Sequence, residues 1–267
     1  MKTITIPEAK IRETVKEYGT PFHIYDQRTI VDRLNSLISS FAWADFKEYF
    51  AIKANPNPHI LKIMKENSCG VDAATVSEIK LAEAAGFSGE EIMFTSNLTT
   101  IDAYQYAVDR GCIINIDWAA DIYELFENEI IPDNICFRLN PGSIENEIMG
   151  DSKESKFGST AEQIKKAVSF LSEQGIDSIG LHTMVVSNEN DPQIFGEYTE
   201  MLFNFAREII EEYQIEIDFI NIGGGIGIPY QSDAEVDVEA IAGAVNESYD
   251  KVLKSKGLQP KIFMESG

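Results

Sequence analysis

The chain has 267 residues, enough for one large domain or two small ones, and its 44 % hydrophobic and 25 % charged content is that of an ordinary globular protein. Its 44 acidic and 22 basic residues leave a net charge of −22, a surface that repels nucleic acid and anionic membrane and argues against both as partners. No apolar run approaches the roughly 20 residues of a membrane span. The N-terminus, Met1-Lys2-Thr3-Ile4-Thr5-Ile6-Pro7-Glu8, lacks the apolar stretch of a secretory signal, so a cytoplasmic location is expected.

A helical pattern at 28–39 precedes the first of eight short apolar runs, at 48–51, 69–72, 92–94, 113–116, 135–139, 178–186, 217–222 and 261–265. These runs are rich in Ile, Val and Phe and short enough for strands buried on both faces. Helical patterns separate them, at 58–66, 76–85, 99–109, 160–173, 192–212 and 238–256. Gly86, Gly111 and Gly175 supply C-terminal stops, and Thr99 and Thr160 open their segments as candidate N-caps. Strand–helix alternation implies parallel βαβ units. Eight strands in about 250 residues favour an α/β fold of the (β/α)8 TIM-barrel type, with a doubly wound open sheet as runner-up. Cys69, Cys112 and Cys136 lie in or beside apolar runs, without a Cys-x-x-Cys pair, and read as small buried side chains.

A barrel places its active residues at the C-terminal ends of strands or just beyond them. Lys53 closes the first run before a Pro-rich break and is expected to be partly desolvated, which frees an amine as a nucleophile. Position alone leaves it open between that role and a snorkelling surface lysine. Asp72 ends the second run; Thr75 reads as an N-cap, and Glu78 as a cap or a site residue. His182 and Met184 lie two apart on the sixth run and share a face, His182 being either a core histidine or a site residue. Ser187 and Asn188 begin the following loop as possible anion donors. The seventh run leads into Gly223-Gly224-Gly225-Ile226-Gly227, where missing side chains open backbone N–H groups to a ligand. The loops after strands seven and eight commonly form a phosphate site in TIM barrels. The spacing fits neither a dinucleotide fingerprint nor a Walker loop. Glu265 ends the eighth run.

Together these segments resemble a known family. Thr20-Pro21-Phe22-His23-Ile24-Tyr25-Asp26, Phe50-Ala51-Ile52-Lys53-Ala54-Asn55, Asn140-Pro141-Gly142, Ser155-Lys156-Phe157-Gly158, Gly223-Gly224-Gly225 and Met264-Glu265-Ser266-Gly267 are similar to motifs of the fold-type-III pyridoxal-phosphate-dependent decarboxylases, built on an alanine-racemase-like barrel. Within this group, which acts on diaminopimelate, ornithine, arginine and carboxynorspermidine, the diaminopimelate decarboxylases are most similar. The resemblance implies that Lys53 carries pyridoxal 5'-phosphate covalently, that Ser187, Gly223, Gly224, Gly225 and Gly267 cradle its phosphate, and that Glu265 bonds the pyridine nitrogen. A carboxylate there favours the protonated ring that accepts electrons as CO₂ leaves, where related racemases place an arginine. Asp72 is implied near the lysine and ring, Arg138 at the base of the site, and Lys156 in a lid or subunit contact. The implied reaction is decarboxylation of a basic or diamino amino acid, meso-diaminopimelate to lysine first, by a homodimer. Alternatives are another substrate of the group or a binding homologue without turnover.

Two departures stand out. The family reads His-x-His-x-Gly-Ser at strand six, its second histidine stacked on the cofactor; here Met184 takes that position and Val186 the glycine's. A thioether can pack on an aromatic face, and His182 remains the other candidate. Family members also continue past the position of Gly267 into a β-domain. Residues 27–267 are therefore expected to form the cofactor-binding barrel without that domain, and 1–26 a segment that would pair partly with it. The 267-residue chain alone is then expected to be poorly active.

Overall fold

The computed structural model describes residues 5–143, 157–228 and 236–267. Helices α1 (Glu8–Tyr18) and α2 (Gln27–Ser40) precede strand β1 (Phe46–Ala51). The chain then alternates through α3 (Pro58–Glu66), β2 (Gly70–Ala73), α4 (Val76–Ala85), β3 (Ile92–Ser96), α5 (Ile101–Val108), β4 (Ile113–Ile116), α6 (Asp121–Glu127) and β5 (Ile135–Leu139). It continues through α7 (Ala161–Glu173), β6 (Ser178–Thr183), α8 (Pro192–Tyr213), β7 (Glu216–Asn221), α9 (Val238–Val252) and β8 (Lys261–Ser266). The strands are parallel and close into a barrel in chain order, β8 pairing with β1 from Phe46↔Ile262 to Phe50↔Ser266. This is the expected TIM-type architecture. No helix among the described residues is long and apolar enough to cross a membrane.

Alternation along each strand divides the core into two layers. Tyr49, Met93, Ile113, Cys136, Phe219 and Phe263 fill the barrel interior. Phe219 stacks on Phe263 at 4.5 Å between ring centroids, and Tyr49 lies 4.9 Å from Phe263. Gly70 and Gly180 make room for these rings: a Cβ would lie 2.5 Å from the Tyr49 ring at the first and 2.2 Å from the Phe219 ring at the second. The larger layer lies between barrel and helices, where α2, α8 and α9 pack together. The three cysteines are buried free thiols, and burial pushes Cys69 up to about 12 and Cys112 to about 11.

Several local details differ from expectation. Helix α1 was not expected: Ile11, Val15 and Tyr18 recur at helical spacing, but none of its residues is buried, and Lys10–Glu13 and Arg12–Glu8 pairs decorate its surface. Strand β6 stops at Thr183 rather than running to 186, because its neighbour β5 ends at Leu139, the last residue paired with it. Thr100, not Thr99, caps α5 by accepting from the Ala103 amide. Thr160 caps α7 in a reciprocal capping box with Gln163.

Glu48 is an unexpected charge in the outer layer, 3 % exposed. Its Oε1 accepts from the Ser266 amide at 2.7 Å, while Oε2 has no partner among the described residues. The two residues border a cavity of about 540 Å³ outside the barrel wall, among Leu34, Phe50, Ile60 and Met64. Burial holds the Glu48 carboxyl well above the usual range, the Ser266 contacts opposing it. A folded-state pKa above the unfolded one gives stability that is complete below roughly pH 4.3 and is lost as pH rises through the folded value. Glu48→Gln is therefore expected to stabilise the chain at pH 8 by on the order of 1 kcal/mol and to flatten its pH dependence. Urea denaturation of both proteins at pH 5 and pH 8 measures this. A variant less stable than the parent at pH 8 would contradict the assignment.

Candidate active site

The C-terminal strand ends bring together Lys53, Asp72, Asn115, Arg138, His182, Asn221 and Glu265. Lys53 lies just past β1, on the 3-10 turn Ile52–Ala54, rather than on the strand. Its side chain is 65 % exposed, so the expected desolvation is absent; the turn lifts it over the barrel mouth. Its Nζ is 3.9 Å from Asp72 Oδ2. Asp72, at the end of β2, is 1 % exposed, and neither carboxyl oxygen has a hydrogen-bond partner among the described residues. Burial, then the nearby Glu265, raises its carboxyl well above the ordinary range, with the adjacent Thr95 hydroxyl and then Lys53 opposing. Thr75 caps α4, and Glu78 accepts from the Ala74 amide, which places Glu78 in the helix cap rather than at the reaction centre.

Glu265 is on β8 at 9 % exposure. Its Oε1 accepts from Asn221 Nδ2 at 2.7 Å and lies 3.5 Å from His182 Nε2. Burial raises this carboxyl too; Lys53, the Asn221 hydrogen bond and Arg138 pull it down. His182 is almost fully enclosed within the barrel, and burial, reinforced by Arg138 and Lys53, holds its imidazole well below its ordinary value and hence neutral. Arg138, beside His182 in the β5–β6 register, donates to Asp117 Oδ1 at 3.2 Å and Asn97 Oδ1 at 3.4 Å. Asp117 also accepts from the Gly158 amide, tying the rim after β4 to that before α7.

The glycine loop owes its composition to crowding as well as to access. A Cβ would lie 2.4 Å from Thr183 O at Gly223, 1.6 Å from Glu265 O at Gly224 and 2.2 Å from Val186 O at Gly225. Gly223 and Gly225 also have φ of +71° and +87°. The Gly223 amide donates to Asn221 Oδ1, and the Gly224 amide to Met184 Sδ at 3.3 Å. Two of the expected cradle amides are thus already engaged, whereas those of Gly225 and Ile226 have no partner among the described residues. Met184, beyond the end of β6, packs under this loop rather than sharing a strand face with His182. Ser187 is exposed nearby, and Gly267 packs against the Lys53 turn, where a Cβ would lie 2.4 Å from Ala54 Cβ. Lys156 lies outside the described residues.

Asn115, Asn221 and Asp117 were not singled out in the sequence. Their signal was a polar residue closing or interrupting an apolar run, as in Ile113-Ile114-Asn115-Ile116 and Phe219-Ile220-Asn221-Ile222. The donor set fits a phosphorylated pyridine aldehyde. A primary amine stands over the mouth, two buried carboxyls lie below it, and two amides of the glycine-rich loop have no partner among the described residues.

Comparison with known proteins agrees with this chemistry. Residues 27–267 match the family model described as pyridoxal-dependent decarboxylase, pyridoxal binding domain. The chain is 32 % identical over 258 residues to protein TabA of Pseudomonas amygdali pv. tabaci, covering 96 % of this chain and 60 % of that protein. It is 32 % identical over 265 residues to the diaminopimelate decarboxylase of Methanothermobacter thermautotrophicus, covering 96 % and 61 %. The crystal structure of diaminopimelate decarboxylase from Methanocaldococcus jannaschii with L-lysine superposes with a TM-score of 0.86 at 25 % identity, over 96 % of this chain and 62 % of that one. The chain thus spans about three fifths of the length of these relatives. With a closed eight-stranded barrel, a lysine and two carboxyls at its mouth and a family match over 27–267, the chain belongs to the pyridoxal-dependent decarboxylases.

Proposed function

We propose that this chain binds pyridoxal 5'-phosphate through Lys53 and supports decarboxylation of an amino acid with a distal amino group, meso-diaminopimelate to lysine first. The observation that carries the reading is the convergence of Lys53, Asp72 and Glu265 from three separate strand ends. When bound, the cofactor supplies an electron sink for the pair left behind by CO₂. Lys53 provides the amine that fixes the aldehyde carbon, and its exposure leaves it accessible. Glu265 accepts from the ring nitrogen and keeps a proton there. Asp72 supplies a second acid beside the amine. The Gly225 and Ile226 amides and the Ser187 hydroxyl hold the phosphate, with Gly223, Gly224 and Gly267 setting the shape of the cradle. Because the protein as a whole is strongly acidic, these local donors, with Lys53 and Arg138, must supply the positive potential a phosphate requires.

The proposal extends to residues 27–267 as the cofactor-binding unit, to a homodimer and to a cytoplasmic location. Leu98, Trp118 and Ile228 are large and exposed on loops after β3, β4 and β7, at the same end of the barrel as the site, and favour an interface there. Met184 favours a second reading, a cofactor-binding homologue without turnover. Measuring CO₂ release by the protein expressed from its native gene, with meso-diaminopimelate, lysine, ornithine and arginine, separates the readings. Release that is fastest with diaminopimelate supports the first; cofactor binding with no release from any of the four sinks it in favour of the second.

A further inference from the structure

Below the mouth, a chain of buried polar side chains crosses the barrel interior. Asn115 on β4 is 1 % exposed, and its Nδ2 is 3.1 Å from Thr95 Oγ1 and 2.9 Å from His182 Nδ1. An amide nitrogen has two hydrogens, and these two acceptors use both. With the Asn115 amide nitrogen turned toward the ring, His182 Nδ1 is the acceptor nitrogen of the neutral imidazole and the ring hydrogen is on Nε2, while Asn115 Oδ1 is buried without a partner among the described residues. That nitrogen has no hydrogen bond to a described residue and lies 3.5 Å from Glu265 Oε1, the oxygen that also accepts from Asn221. At this separation the Nε2–H acts as a directed dipole rather than a full hydrogen bond. Glu265 Oε2 has no hydrogen bond to a described residue.

We infer that Asn115, His182 and Asn221 are positioning residues for Glu265: they direct two N–H groups at Oε1 and so reserve Oε2 for the ring nitrogen of the cofactor. The inference rests on the proposed cofactor role of Glu265. It assigns His182 a place behind that carboxylate instead of against the cofactor. The division of labour follows from the surroundings. Burial pushes the carboxyl toward its neutral form, which could no longer serve as a pure acceptor for a ring N–H. Two N–H groups on one oxygen oppose that push and stop the carboxyl from rotating. Without Asn115, His182 could carry its hydrogen on Nδ1 and turn the Nε2 lone pair toward Glu265, repelling the group it now supports.

The test has two arms. Only His23, His59 and His182 contribute to the imidazole region of a long-range ¹⁵N correlation spectrum, which reports tautomers directly and needs no cofactor. The expected result is a neutral Nε2–H tautomer at His182 from pH 5 to 8, replaced by a mixture in Asn115→Leu. A wild-type Nδ1–H tautomer or an imidazolium would overturn the inference, even if Asn115→Leu failed to fold. In the second arm, pyridoxal phosphate affinity is compared for wild type, His182→Leu and His182→Gln, each checked for folding by circular dichroism. His182→Leu fills the space without a donor and is expected to bind roughly three- to tenfold more weakly. His182→Gln retains an N–H donor and is expected to recover most of that loss. Equal affinities for the two variants would reduce His182 to a packing residue. If the wild-type chain bound no cofactor, the proposed function would fall, while the tautomer would still report whether Asn115 orients His182 toward Glu265.

Discussion

Lys53→Ala is expected to lose all covalent attachment of pyridoxal phosphate. Incubation with the cofactor, borohydride reduction and peptide mass mapping should place a phosphopyridoxyl group on Lys53 in the parent chain and on no peptide in the variant. Among the described lysines, Lys53 is the one set 3.9 Å from a carboxyl that is 1 % exposed, on a turn that holds it over the strand ends. Lys10, Lys165, Lys166 and Lys251 are engaged in surface ion pairs with acidic neighbours. Removing the amine also leaves Asp72 and Glu265 facing one another with less compensating charge. Both carboxyls should then shift further toward their neutral forms. An adduct at another lysine in the parent, with Lys53 unmodified, would refute the site and with it the assignment of Glu265.

Gly224→Ala is expected to be the most damaging glycine-to-alanine change among the described residues. Its Cβ would lie 1.6 Å from the carbonyl oxygen of Glu265 and 2.8 Å from that residue's carbonyl carbon. Both are backbone atoms of a central strand, so no side chain can swing away. Either the loop or the end of β8 must move, and overpacking against backbone costs about 3 kcal/mol. For a chain of this size that lowers the thermal midpoint by roughly 6–12 °C. The displacement would also disturb Glu265, and cofactor affinity should fall with stability. Gly243→Ala is the natural contrast. Gly243 lies within α9, has nothing within 4 Å of a built Cβ, and should gain roughly 0.5–1 kcal/mol from the better helix former. Calorimetry of the two variants checks both signs; an unshifted midpoint for Gly224→Ala would mean that the loop yields freely.

Much of this molecule was legible along the chain. Strands buried on both faces must be apolar throughout, so all eight appear as short Ile-, Val- and Phe-rich runs; the helices between them show their inner faces every three or four residues, except the seven-residue α6, which was not expected. Thr75, Thr160 and Gly86 marked helix ends because capping is a local hydrogen-bonding problem. Lys53, Asp72, the glycine triplet and Glu265 stood out because each follows a strand-like run, and a parallel barrel gathers all such positions at one end.

Other features depended on distant neighbours. The end of β6 was set by the length of β5, and the exposure of Lys53 by a 3-10 turn that no pattern announced. Helix α1 has Ile11, Val15 and Tyr18 at helical spacing, yet none of its residues is buried. The glycines looked like openings for a ligand, whereas each is also a point where two backbones nearly touch. Asn115, Asn221 and Asp117 passed unnoticed because one polar residue in an apolar run has meaning only when the strand opposite is known. The sequence by itself determined the alternation of elements, the barrel and the chemical types at its mouth, because hydrophobic period and chain order are local properties. Only the tertiary structure decided which oxygen of Glu265 is loaded and which nitrogen of His182 faces it, because those depend on distances between residues more than forty positions apart.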